Sequence, residues 1–229
     1  MIVDVNFDAL DSSVSKILTR FDKMVYIAIY ALYLHGETTM TATQIYRVWK
    51  PNSNPAQTDI AEINASVAKM AFTDVKIDSR PEHKKYKRYK KIVLHKYLLP
   101  IDRCELFEEH CNNVDVAIKL LDVPPLMYFA QVRKQVASLP EAVLQAPIRR
   151  TKMHLAVGDF LITNIAHMEH PNYHITKITY QKMFERCGLT NKKDKQRAVD
   201  TAKRYLAYFA DSGLIQGYKA QNDGINVEI

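Results

Sequence analysis

The sequence predicts an α+β protein made of two tandem modules, each a set of short helices closed by a β-hairpin. Three observations predict it. Residues 194–211 place Val199, Ala202, Leu206 and Phe209 on one helical stripe, and two short β-favouring runs follow across Asn222-Asp223-Gly224. An earlier stretch, 19–99, repeats the same order of helices and β-like runs, without repeating the residues. Gly36, Gly188 and Gly213 each stand just past a periodic segment, where a helix C-terminus needs a left-handed residue.

The chain has 229 residues, 47% apolar and 25% charged, which suits an ordinary globular protein with a sizeable core and excludes wholesale disorder. We place the first module at 1–148 and the second at 149–229. Residues 1–18 are a lead-in, with a short strand at 2–5 and a short helix at 12–18. Thr19-x-x-Asp22 reads as a capping box for a helix over 20–35, with Phe21, Met24, Val25, Ile29, Leu32 and Tyr33 inward. Gly36 stops it. A short strand at 38–40 follows, and Thr41 caps a helix through Ile45 and Val48 to Trp49. After the turn-rich loop 51–57, Thr58 caps a helix over 59–72 with Ile60, Ile63, Val67 and Met70 in register. Strands at 75–78 and 92–99 then form a hairpin. Further strands at 103–107 and 114–121 extend the first module's sheet. Small helices at 126–136 and 141–145 lead to the boundary.

In the second module, Thr151 caps a helix through Leu155, Val157, Phe160, Leu161, Ile165 and Met168. Residues 175–179 read as a strand or a helix start. Thr179 caps a helix over 180–187, 189–194 turn, and the long helix 194–211 follows. Strands at 214–218 and 225–229 close the chain. A basic helix followed directly by a β-hairpin is the second half of a winged helix. In that fold the helix lies in the DNA major groove and the hairpin, or wing, touches the backbone.

The charge is concentrated. The chain carries a net +7, and the stretch from Arg80 to Lys96 alone holds eight Lys and Arg against one Glu. The rest of the protein is therefore balanced. Arg80, Lys84, Lys85, Lys87, Arg88, Lys90 and Lys91 fall between the two strands of the first hairpin, interleaved with Tyr86 and Tyr89. A basic wing of this kind suits phosphates. A second cluster, Lys192, Lys193, Lys195, Gln196, Arg197 and Lys203, opens the long helix, where base edges and phosphates are met. Arg149 and Arg150 precede the second module, and Lys219 lies on its wing. The helix at 58–72 is poorer in bases: Lys69 stands beside Asp59 and Glu62, so base reading there rests on Gln57, Asn64 or Ser66.

The sequence carries no recognisable enzymatic signature. The six glycines form no phosphate-binding loop, and no G-x-S-x-G or H-E-x-x-H occurs. His167, Glu169, His170 and His174 lack the spacing of a nicking enzyme's metal site and read as a polar helix end. No catalytic residue, cofactor or metal is expected. Cys104, Cys111 and Cys187 are too few and scattered for a disulfide framework, and neither a leader peptide nor a membrane span is legible, so we expect a cytoplasmic protein.

Short motifs carry a family likeness: Phe21-Asp22-Lys23-Met24-Val25-Tyr26, Ile45-Tyr46-Arg47-Val48, Tyr97-Leu98-Leu99-Pro100, Ile178-Thr179-Tyr180, and the final hairpin from Gly217-Tyr218 to Ile225-Asn226-Val227. Together these resemble the replication initiators of plasmids and phages, and initiator-like proteins carried on mobile elements of low-GC Gram-positive bacteria. The resemblance implies two winged-helix domains on directly repeated double-stranded DNA, a monomer as the origin-binding form, and a homodimer as the inactive or autorepressing form. A host replication protein is a further partner it admits. Two other classes fit the same residues: a transcriptional repressor of a mobile element, and a phage-type inhibitor that occupies a host protein's nucleic-acid site.

Overall fold

The computed structural model describes residues 2–3, 18–78, 92–107, 114–132, 138–139, 141–148, 151–168 and 176–229, and its first helices begin where the sequence supplies a cap. Thr19 caps α1 (Arg20–Leu34): its hydroxyl accepts from the Asp22 N–H at 3.2 Å, and the Asp22 carboxylate accepts from the Thr19 N–H at 2.6 Å. Thr41 and Gln44 make the same reciprocal pair for α2 (Ala42–Trp49). The next helix, α3 (Gln57–Ala71), departs from expectation. Thr58 lies inside it, and its first turn is closed by Asp59, which accepts from the Ala56 N–H at 3.0 Å. Gly36 ends α1 at φ +92°: its N–H donates to the Tyr33 carbonyl while the Glu37 N–H donates to Leu32. This bond pair requires a left-handed residue, and it recurs at Gly188 and Gly213.

Contacts divide the chain into two units, Val5–Val136 and Met1–Asp4 with Ala137–Ile229. The N-terminal residues join the second unit because β1 (Ile2–Val3) pairs antiparallel with β7 (Ser138–Leu139). Two-residue strands this far apart leave no local pattern, which is why the sequence placed residues 1–4 with the first module.

In the first unit, α1, α2 and α3 pack on one another. From Val25 to Ala31 every residue of α1 is buried, so the expected single stripe is instead a helix enclosed on all sides. Strand β2 (Thr39–Thr41) pairs with β6 (Val114–Leu120), and β6 with β5 (Ile101–Phe107), all antiparallel. The strands expected to extend the first module's sheet do so on β2. That leaves β3 (Asp74–Asp78) and β4 (Val93–Tyr97) as a separate two-stranded ribbon. Val75 and Ile77 face inward while Asp74 and Lys76 face out, so the ribbon covers the core on one face. Its base is fixed to α3: Leu98 N–H donates to Thr73 and Leu99 N–H to Met70. Helix α4 (Pro125–Val132) completes the described part of this unit.

The second unit contains a short 3₁₀ helix (Glu141–Gln145), α5 (Lys152–Met168), β8 (Lys177–Thr179), α6 (Tyr180–Arg186), α7 (Lys192–Asp211), β9 (Gly217–Ala220) and β10 (Gly224–Glu228). Its antiparallel sheet runs β8-β10-β9. The two units therefore share this pairing: the short strand joins the second strand of the last hairpin, β2 on β6 of β5–β6 in the first and β8 on β10 of β9–β10 in the second, while β3–β4 lies outside that sheet. Helices α5 and α7 meet at Gly158, where an added Cβ would lie 2.7 Å from the Tyr205 oxygen. That tyrosine donates to the His154 carbonyl at 3.3 Å, so Gly158 admits a ring that bridges two helices.

One buried carboxylate organises the first unit. Asp22 is only 1% exposed, and it accepts from Thr19, from the Ser66 hydroxyl at 2.7 Å and from the Lys69 ammonium at 2.7 Å. Burial opposes its charge, but the bonds from Lys69, Ser66 and Thr19 outweigh burial and hold the carboxyl below its ordinary 3.8. The depressed value makes this stabilisation complete above the unfolded carboxyl's pKa and lost as pH falls through the folded one. Asp22→Ala should therefore cost about 2–4 kcal/mol at neutral pH, with Lys69's part-exposed ammonium the smaller share. Urea unfolding of both proteins from neutral pH down to about pH 3 checks it: the gap should narrow below about pH 4.

Candidate nucleic-acid interface

Helix α7 gives the basic cluster its geometry. Asn191 caps it, accepting from the Asp194 N–H at 2.8 Å, so the helix starts at Lys192, two residues before the expected 194. Its buried stripe is Ala198, Thr201, Ala202, Tyr205, Leu206 and Phe209. Val199, expected on that stripe, is half-buried, and Ala198 takes the inward position. The opposite face exposes Lys192, Lys193, Gln196, Arg197, Lys203 and Arg204. A helix N-terminus already carries a partial positive charge, so lysines in the first turn work against helix stability and concentrate a field that attracts anions. Asp194 is the acid of that turn, and its carboxylate lies 3.6 Å from Arg197. Lys195 differs from its neighbours: it is half-buried, with its ammonium 5.5 Å from the centre of the Phe184 ring. It anchors the α6–α7 turn as well as adding charge.

The hairpin is held against the base of α6. Strand β10 pairs with β8 (Gly224 with Thr179, Ile225 with Ile178) and with β9 (Asn226 with Lys219). The loop is therefore 221–223, and the first strand begins at Gly217, because Leu214 and Ile215 are buried in the connection. Gly224 ends the expected Asp-Gly hairpin signal. Its φ is not positive; its role is space, since a Cβ there would lie 2.4 Å from the Ile178 carbonyl oxygen. Thr179 precedes α6 as expected, but its side chain makes no cap bond. The Tyr180 N–H donates instead to the Asp223 carbonyl at 3.0 Å, and the Asp223 carboxylate accepts from Lys177 at 2.7 Å. The bond from Lys177 holds the Asp223 carboxyl below its usual range. The hairpin loop is thus tied down, with Lys219 exposed on β9. Tyr180, Phe184, Thr190, Lys195 and Asp223 line an open groove of about 1000 Å³ beside the start of α7.

In the first unit, Asp78 pairs with Val93, so β3 and β4 bracket the basic run. Arg80, Lys84, Lys85, Lys87, Arg88, Lys90 and Lys91, like Arg149 and Arg150, lie outside the described residues. Lys96 is on β4 and bonds Asp122 at 3.0 Å. Of the polar side chains named on α3, Ser66 is buried and Lys69 is bound to Asp22, while Gln57 is exposed and Asn64 half-buried. Sequence reasoning missed the grouping of Lys177, Tyr180 and Phe184 beside α7. Only the pairing of β8 with β10 and the packing of α6 against α7 bring it about. Arg204 belongs with the exposed face of α7.

No protein-family model matches the chain, and no curated protein matches it. Among solved structures, the chain is similar in fold to domains 2 and 3 of RctB, with a TM-score of 0.50 over 93% of this chain and 83% of that one, at 10% sequence identity. No described helix is long and apolar enough to cross a membrane.

Gly224→Ala should destabilise the full chain by about 1–3 kcal/mol through collision with the β8 backbone. Urea unfolding reads it directly. A cost near zero would show that β10 does not need this close approach.

Proposed function

We propose that the protein is a non-enzymatic, sequence-specific double-stranded DNA-binding protein that initiates replication of a plasmid or mobile element. The observation that carries the reading is the basic exposed face of α7, set between the α6 turn and a hairpin paired to β8. That arrangement is the one a winged helix needs, with α7 in the major groove and Lys219 near backbone phosphates. The likeness to domains 2 and 3 of RctB supports a replication-initiator-like fold. The initiator role itself rests on the motif resemblance. In this reading the second unit reads sequence through α7. The first contributes mainly charge through the run at 79–91, since α3 has its lysine and serine engaged internally.

A protein-contact reading has one observation in its favour. Phe72 is 81% exposed and Tyr97 60% exposed in the first unit. Large apolar side chains left in water at this level suit a protein partner, a second copy or a host protein.

The test is selection of bound duplexes from a random pool at physiological salt. Enrichment of a defined site is the expected outcome. Tandem half-sites would favour an initiator and inverted ones a repressor. No enrichment, with binding that vanishes as salt rises, would refute sequence reading and turn attention to a protein partner. Separately, Lys84, Lys85, Lys87 and Arg88 changed together to Ala should weaken all duplexes alike and lower the salt slope by about one per lost phosphate contact. An unchanged slope in the salt titration would remove the wing assignment.

A further inference from the structure

Asp200 is exposed near the centre of the basic face of α7, with Gln196 and Arg197 a turn before it and Lys203 and Arg204 a turn after. On charge alone an acid there opposes an anionic partner. Yet its Oδ1 accepts a hydrogen bond from the Gln196 side-chain nitrogen at 3.2 Å. A parallel pair stands beside it: Asp194 faces Arg197 at 3.6 Å and also accepts from the Asn191 amide.

The chemistry left on Gln196 is informative. A glutamine amide has two N–H donors and one carbonyl acceptor. The bond to Asp200 uses one donor and fixes the side chain along the helix. One N–H and the carbonyl remain, and these match the N7 acceptor and N6 donor that adenine shows in the major groove. An unrestrained glutamine on this face would spread over many rotamers and contact phosphates or bases indifferently.

Resting on the DNA-reading proposal above, we propose that Asp200 is a positioning residue for base recognition: it orients Gln196 to read adenine, lowering general affinity while raising discrimination. The test compares the wild type with Asp200→Ala, Asp200→Asn and Gln196→Ala, using the selected duplex, all its single-base-pair variants and an unrelated duplex. Both positions are exposed, and thermal unfolding of each variant checks that it folds. Asp200→Ala should bind the unrelated duplex more tightly, yet lose about tenfold of preference at one A·T pair. Gln196→Ala should lose preference at that same pair. Asp200→Asn removes charge but keeps an acceptor, so it should tighten binding and retain the base ranking.

The wild-type ranking preserved in Asp200→Ala would overturn the proposal, as would loss at different base pairs in the two alanine variants. So would an Asp200→Asn protein that loses the ranking as fully as the alanine variant. If the wild type itself selects no sequence, the DNA-reading proposal fails and this one with it. A selective wild type with an unmoved ranking in Asp200→Ala removes the positioning role alone.

Discussion

The pairing of β10 with β8 is the contact on which the candidate interface depends. It brings the Gly224 backbone against the Ile178 carbonyl, at a separation only a residue without a side chain tolerates. With that contact made, the hairpin loop reaches the start of α6. The Asp223 carbonyl then satisfies the Tyr180 N–H, one of the donors any helix start leaves open. Lys177 takes the Asp223 carboxylate. The second strand, the second helix and the hairpin thus hold one another, and α7 packs against the same set. A helix proposed to read bases must be rigidly placed, and backbone pairing on a neighbouring strand is the means by which the hairpin beside α7 is held.

The first unit has the same strand order and adds a ribbon and a buried charge. Its short strand β2 is taken by β6, so β3–β4 is free of that sheet and is secured through α3. The Asp22 carboxylate joins the start of α1 to the face of α3, with every bond it accepts coming from a named donor. The arrangement uses Ser66 and Lys69 of α3 and leaves Gln57 exposed. What stabilises this unit therefore also engages two of α3's polar side chains internally.

On α7 the charges are ordered rather than merely numerous. Lysines crowd the positive end of the helix, where they favour an anion over helix stability. Each of the two acids near them is bonded to a polar side chain on the same face. Long exposed side chains lose considerable entropy when fixed on a partner, and pairing along the helix removes part of that loss in advance.

The sequence by itself determined the helices of both units and their stops. Periodicity set α1, α3, α5 and α7, Thr19 and Thr41 set two starts, and Gly36, Gly188 and Gly213 set three ends, because caps and helical spacing act within a turn or two of chain. It also located the basic helix and the hairpin after it. It missed what depends on residues far apart. Thr58 and Thr179 looked like caps, but Asp59 and the distant Asp223 carbonyl satisfy those helix starts. Gly224 looked like a turn residue, and it is a space for β8. Ser66 and Lys69 looked like surface groups until Asp22 claimed them. Tertiary structure alone decided which strand β2 pairs with and where residues 2–3 belong. Hydrogen-bond donors and acceptors are the same on every backbone, so local sequence cannot choose among strands; packing of the side chains does.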